Sequence, residues 1–412
     1  MPGRGPDRCA VPDCRTVSAG MVLPMSQSIA ADQAALTICS EVGIPAMRRE
    51  DTLARLASRA GHPVTFIERP RDIRAIAGPE ARNWLRGVRS YRRRASESAI
   101  TVVERSTLLP GHLNARSERF DAKRLESVVR RWTPARGATV LATVPWQWPA
   151  VGSLRPQRRV LDLGDDWAAL IPSRAGRMRE LLLRAEAEAD EIVVVSEALA
   201  GLFGGRRVRV VRNGVDEALL ATSPPEPPRA RQIVYVGMLS ERFDAPLVGQ
   251  VLDRLPDWTI DIYGACAYRG NGSKPGAELA ALLAREDGRA RWHGLVAREQ
   301  LPDVLDRADV LLVPNRPHCA GQDSMKIYDY AARGRPIVAT KMAADGISEL
   351  PPHSRLGTDA DELAGLICDT QHESATAARE RIEWAAAQSW HSRWPKWSTA
   401  LFGEVQDDPI DP

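Results

Sequence analysis

Apolar residues along this chain fall into two alternating patterns. Short unbroken runs, beginning with ALTIC near residue 34 and VTFI at 64–67, have the length and the β-branched content of buried strands. Between them, Leu53, Leu56 and Ala57 recur at helical spacing until Gly61, which predicts a helix joining the two strands. This is a βαβ unit. Further strands are expected at 100–103, 138–143, 159–163 and 191–195, with amphipathic helices at about 121–132 and 176–189. Strands alternating with helices imply a parallel sheet covered on both faces.

The pattern then stops and restarts. VRVV at 208–211 runs into Arg212-Asn213-Gly214-Val215-Asp216 and on to SPPEPPRAR, whose prolines suit neither a helix nor a central strand and mark a domain boundary. A second series opens directly afterwards, with strands at 233–237, 259–264, 290–294, 310–314 and 336–340. Helices are expected around 244–255, 276–286, 298–307, 324–333 and 359–368. The fold class is therefore α/β, with two Rossmann-like doubly wound domains facing each other across a cleft. Ligands of such sheets sit beyond the carboxyl ends of the strands. Trp390, Trp394 and Trp397 recur at helical spacing and form one apolar face of a terminal helix. The expected division is a disordered leader at 1–33, a first domain at 34–215, a second at 216–384, and a terminal helix and tail at 385–412 that return to the first domain.

Composition narrows the function. At 412 residues the chain has room for two domains, and 44% apolar with 26% charged residues is ordinary globular usage. A net charge of +3 despite 56 basic side chains gives no concentrated positive footprint, so nucleic acid is not an expected partner. Only five of those side chains are lysines, which makes each lysine worth a reason. Six scattered cysteines suggest no disulfide framework and fit a reducing cytoplasm. Cys9 and Cys14 have no second ligand pair at zinc spacing, so no metal is expected. No run of 18 apolar residues occurs, and the first 30 residues lack the apolar segment of a secretory signal. The stretch Arg82–Arg94 interleaves six arginines with Trp84, Leu85, Val88 and Tyr91. It reads either as a solvated face or as a surface for weak peripheral contact with anionic lipid.

The densest candidate chemistry lies in 310–340. A strand ends at Pro314, a polar loop follows, and a helix opens near Ser324 and Met325, offering unpaired N–H groups to an anion. Lys326 and Asp329 are three apart and share a face. Lys326 can meet a diphosphate while Asp329 accepts ribose hydroxyls. Ser324-Met325-Lys326-Ile327-Tyr328-Asp329-Tyr330, with Ala-Ala-Arg-Gly-Arg-Pro after it, resembles the nucleotide-sugar motif of GT-B glycosyltransferases. The resemblance is to the large retaining family 4, or group 1, and within it to the teichuronic-acid-type branch, and it covers about 34–400. It implies that Asp329 stands where the family's ribose-binding Glu is usual. A second Glu of the broader family corresponds to Gly321 here, with Gln322 or Asp323 as candidate substitutes. By the same resemblance, Gly237 and Arg242 approach the diphosphate, Met238 replaces a frequent Arg, Arg212–Asp216 is a hinge, and Asp162–Trp167 belongs to the acceptor domain.

Each residue also has a bland reading. Lys326 can be merely solvated, Asp329 can pair with Arg333, Arg242 can sit in an ordinary salt bridge, and Asp165 or Asp166 can cap a helix. As functional groups, Asp165 and Asp166 would act on the reacting hydroxyl. His293 and His318 are candidate donor or acceptor contacts, and His112 is a lone loop histidine. The expected activity is a hexosyltransferase-type enzyme that moves a sugar from a nucleoside diphosphate to a cell-envelope glycan, a glycolipid or a secondary metabolite. It would need no metal or other cofactor and would work in the cytoplasm or peripherally at the inner membrane face. The resemblance implies retention at the anomeric carbon, whereas an Asp beneath that carbon would mean inversion. A nucleotide-sugar epimerase and a non-catalytic binding subunit are the competing classes.

Overall fold

The structure, a computed structural model, describes residues 33–42, 48–72, 92–95 (backbone only), 100–134, 137–204, 208–224, 226, 230–268, 271–316, 321 and 323–403. Residues 1–32 of the expected leader, Arg82–Tyr91, His318 and Gln322 lie outside the described residues.

Two sheets account for the two series of strands. The first contains β1 (Ala35–Cys39), β2 (Val64–Ile67), β3 (Arg92–Ala95), β4 (Thr101–Glu104), β5 (Ala138–Ala142), β6 (Arg158–Leu163), β7 (Glu191–Val194) and β8 (Val208–Val210), in the order β3-β4-β2-β1-β5-β6-β7-β8. All its pairings are parallel except β3 with β4. Every residue of β1 and β5 is buried, as befits central strands covered on both faces. On one face Leu125, Val128 and Val129 of the helix Ala115–Trp132 join Leu182 and Ala185 of the helix Ala175–Glu188. On the other, Leu53 and Ala57 of the helix Arg49–Arg59 meet Trp390, Trp394 and Trp397 of the helix Trp390–Phe402.

The second sheet contains β9 (Gln232–Val236), β10 (Thr259–Tyr263), β11 (Ala290–Trp292), β12 (Val310–Val313), β13 (Ile337–Thr340) and β14 (Arg355–Gly357), all parallel, in the order β11-β10-β9-β12-β13-β14. The helices Ala245–Arg254 and Ala360–Asp369 cover one face, and Leu301–Asp306 and Met325–Ala332 the other. Asp244 and Asp359 cap the first two by accepting the N–H of Leu247 at 3.1 Å and of Glu362 at 2.9 Å. Strand order reverses between β1 and β5 in the first sheet and between β9 and β12 in the second.

One helix begins six residues earlier than expected. Asn114 caps the helix Ala115–Trp132 by accepting the N–H of Arg116 at 3.0 Å and of Ser117 at 2.9 Å. The inward positions of its first turns are Ser117, Glu118 and Asp121, all buried. Polar residues on the inner face hide the helical period, and arginines satisfy them: Arg174 and Arg177 hold Glu118 at 2.6 and 2.5 Å, and Arg105 holds Asp121.

Two chain segments connect the sheets side by side. Val215 donates its N–H to Gln388 O at 2.9 Å, and Trp390 donates to Val215 O at 2.9 Å. A Cβ on Gly214 would come within 2.9 Å of the Trp390 nitrogen, so this close backbone approach calls for glycine. Among the described residues no helix is long and apolar enough to cross a membrane.

Candidate active site

The crevice at the reversal of the second sheet opens between the carboxyl ends of β9 and β12. β9 delivers Gly237, and the chain after β12 returns to start the helix Met325–Ala332 at Ser324. The Ser324 side chain makes no capping bond, so the first-turn N–H groups are not consumed by it. Met325 packs on the apolar cluster of the first sheet, which brings this helix start against the opposite half of the molecule.

Lys326 lies over Gly237, where any side chain would overlap its Cε, and its ammonium is 5.7 Å from the centre of the Tyr235 ring. Burial lowers the Lys326 pKa to about 8, helped by the positive charges of Arg242 and Arg48. Three cations thus converge on one crevice. Asp329, one helical turn on, is one-fifth exposed and has Oδ2 at 3.9 Å from Arg298, which also holds Asp216 at 2.8 Å. Burial raises the Asp329 pKa to about 6. Arg333 pairs with Asp306 rather than with Asp329.

The two carboxylates of the first sheet separate. Asp165 Oδ1 is 3.3 Å from Arg242 Nη2, a contact across the cleft between the loops after β6 and β9. Asp166 instead caps the helix Trp167–Leu170, its Oδ1 accepting the N–H of Ala168 at 3.0 Å and of Ala169 at 3.1 Å.

Asp323 is buried, its Oδ2 accepting the Asn213 N–H at 2.5 Å and its Oδ1 the Tyr328 hydroxyl at 2.7 Å. The network continues through Arg49, which donates to Asp162 at 2.8 Å, reaches Asn213 Oδ1 at 3.4 Å and covers the Trp397 ring at 4.7 Å. Gly321, where the resemblance implies a Glu, has φ +77, and its carbonyl accepts the Ser196 hydroxyl at 2.7 Å. A Cβ there would stand 2.7 Å from that of Ala198, so the first half of the molecule fills the space. His293, just past β11, has Nε2 at 2.8 Å from Asp261 and stacks on Tyr263 at 4.6 Å.

Sequence reasoning overlooked Arg48 and Arg49. A doubled arginine opening the first helix after β1, at the reversal point of the first sheet, was the available signal. It also overlooked a polar cluster at that reversal. Glu41 Oε1 accepts Trp146 Nε1 at 3.2 Å and Gln147 Nε2 at 3.3 Å, and burial raises its pKa. Arg105 pairs with Asp121 through Nη1, while its buried Nε and Nη2 have no hydrogen-bond partner among the described residues. Trp167 meets Trp146 edge-on at 4.8 Å and links this cluster to Asp165 along the chain. Burying donors without acceptors is costly unless a ligand supplies them.

Residues 230–380, the part of the chain that holds Gly237, Arg242, Lys326 and Asp329, match the family model for glycosyl transferases group 1. Over these residues the chain carries a group 1 glycosyltransferase domain. The sequence matches no curated protein. Sucrose-phosphate synthase of Thermosynechococcus elongatus is similar in structure, with 15% identity, a TM-score of 0.68, and 89% of this chain and 98% of that one covered. HepE of Anabaena, solved in complex with UDP and glucose, is 18% identical with a TM-score of 0.66, covering 90% of this chain and 99% of that one. The E. coli trehalose-6-phosphate protein bound with UDP-2-fluoro glucose is 11% identical with a TM-score of 0.65, covering 90% of this chain and all of the other (100%). At such identities the likeness establishes the fold, which is GT-B. The matched domain thus lies on the second sheet, and the first sheet faces it across the cleft.

Proposed function

We propose that this glycosyltransferase takes a sugar from a nucleoside diphosphate held by the second sheet and passes it to a hydroxyl held by the first. The observation that carries this reading is the seating of Lys326 over Gly237 at the β9–β12 reversal, with Asp329 one turn away and Arg242 held to Asp165 opposite. The cations neutralise the departing diphosphate and Asp329 accepts the ribose hydroxyls. The UDP-sugars bound by HepE and by the E. coli protein support a donor of the same class.

In the transfer, the bond from the anomeric carbon to the diphosphate oxygen breaks and its electron pair leaves with the phosphate. The acceptor oxygen forms the new bond on the same face and gives its proton to that phosphate, so configuration is retained. The chain's own cations do the work a divalent ion would otherwise do. Asp165, tied to Arg242, orients the acceptor side of the cleft. Glu41, Asp121 and the unspent donors of Arg105 offer both acceptors and donors, which matches a ligand rich in hydroxyls. A nucleotide-linked donor fits action in the cytoplasm.

Thermal unfolding with UDP, GDP and dTDP tests the donor half, because a ligand of the native state raises stability by RT ln(1 + [L]/Kd). One diphosphate is expected to raise the midpoint in the intact protein and to do so far less in Lys326→Ala. Release of that diphosphate from its sugar conjugate then separates a transferase from a binding subunit. No shift with any nucleotide overturns the reading.

A further inference from the structure

The described residues include eight large apolar side chains that are exposed, and four of them, Leu108, Leu109, Leu113 and Phe120, fall within one short stretch. Their exposures are 44%, 38%, 52% and 39%. They occupy the loop after β4 and the second turn of the helix Ala115–Trp132. Concentrated apolar exposure of this kind marks an interaction surface, whereas scattered single residues do not.

The same helix decides what the surface fits. Its exposed positions include Arg116, Arg119, Phe120, Lys123, Arg130 and Arg131, spaced so that they share one stripe. Its acidic residues lie elsewhere or are matched. Glu118 and Asp121 are buried against Arg174, Arg177 and Arg105, and half-buried Glu126 holds Arg130 at 2.7 Å. The outward stripe is therefore cationic with leucines and a phenylalanine at its leading end.

We propose that this loop and helix dock the enzyme on an anionic lipid surface, with Leu108, Leu109, Leu113 and Phe120 entering the headgroup boundary and Arg116, Arg119 and Lys123 meeting lipid phosphates. An apolar edge beside a cationic stripe suits an interface that is oily beneath and negative at its surface. The inward side of the same segment carries Asp121 and Gly111. A Cβ on Gly111 would lie 2.9 Å from Trp146 and 3.1 Å from Asp121 Oδ2, so docking brings the polar cluster of the first sheet to the membrane. The inference stands on exposure and charge, independently of the donor reading.

Cosedimentation of the full chain with vesicles of phosphatidylglycerol and phosphatidylcholine, against phosphatidylcholine alone, tests it. Binding is expected to the anionic vesicles at low salt and to fall as salt rises. The triple variant Arg116→Gln, Arg119→Gln, Lys123→Gln is expected to bind at least about tenfold more weakly, since each charge near such a surface contributes separately. Leu108→Gln with Leu109→Gln and Phe120→Gln is expected to lose binding as well. Both variants alter exposed positions, and an unchanged thermal midpoint confirms that they fold. The proposal is overturned by failure of the intact protein to pellet with anionic vesicles, by equal pelleting with neutral ones, or by full binding of either variant. It is also overturned by a concentration-dependent dimer that the leucine variant dissolves, which would make a second copy the occupant. Retention of nucleotide-induced stabilisation in the variants keeps these outcomes separate from any failure of the donor reading.

Discussion

The stem of Lys326 runs through the space that Gly237 leaves by having no side chain. One residue comes from the end of β9 and the other from the helix that follows β12, so the two sides of the crevice fit each other at this point. Gly237→Ala is expected to displace the lysine rather than the backbone, because what a Cβ would meet is the far end of a flexible side chain. The variant should fold with a stability change within about 1 kcal/mol and bind nucleoside diphosphate at least about tenfold more weakly. Calorimetric titration beside a thermal scan measures both, and undiminished affinity would detach Gly237 from the donor site.

Lys326 and Asp329 should fail in different ways. If Lys326 faces phosphate as proposed, Lys326→Ala is expected to cost about 2 kcal/mol or more with the diphosphate and little with the free nucleoside. Asp329→Asn is expected to weaken nucleoside and diphosphate alike. Because burial raises the Asp329 pKa to about 6, holding it as a carboxylate near neutral pH costs the ligand-free fold stability. The Asn variant should therefore be at least as stable as the parent near neutral pH. Titration of both ligands into both variants reads the pattern, and identical losses would merge the two roles.

Donor affinity should carry the signature of the lowered lysine. Below about 8 Lys326 is protonated, the form that the proposed phosphate contact needs. As pH rises through that value, binding must first take up a proton, so affinity is expected to fall by up to about tenfold per unit. Stability of the free protein moves the other way. Between about 8 and the unfolded value of 10.5 the unfolded chain holds more protons, so this residue's contribution favours the fold increasingly as pH rises. Titrations at about pH 7 and 9 in buffers of different ionisation heat should show proton uptake only at the higher pH, and none in Lys326→Ala. A flat profile would place the lysine away from the phosphates.

The parts of this protein that were legible in its sequence share a physical cause. β12 and β13 lie in the expected places because parallel strands buried on both faces read as continuous apolar runs, and the tryptophan spacing of the last helix survives because it faces a sheet. Lys326 and Asp329 could be paired before any coordinates because helical spacing alone puts them on one side. What stayed hidden depends on contacts between distant segments. Nothing local to Asp323 announces that it will accept the Asn213 N–H, or that Arg49 will join Asp162 to the same network. The helix from Ala115 began unseen because the buried face of its first turns is polar, which a search for apolar periodicity reads as surface. Arg48 has a role only once two sheets meet.

Asp165 and Asp166 stand next to each other and should separate cleanly in function. Asp166 holds two N–H groups at the start of the helix Trp167–Leu170, and replacing such a cap by Ala costs about 1 kcal/mol. Asp166→Ala is therefore expected to lower the thermal midpoint while the surviving folded enzyme turns over at near the parental rate. Asp165 is about one-third exposed in its pair with Arg242, and such pairs contribute only about 0–1 kcal/mol to stability. Its position across the cleft from the donor cations gives it a different task. Asp165→Asn should leave the midpoint and the diphosphate affinity within about twofold and lower turnover by at least about tenfold, since orientation of the acceptor is lost with the charge. Steady-state rates at saturating donor, set beside unfolding curves, distinguish the two. If Asp166→Ala lost turnover with its fold intact, or Asp165→Asn kept it, the assignment of cap and acceptor-side carboxylate would be reversed.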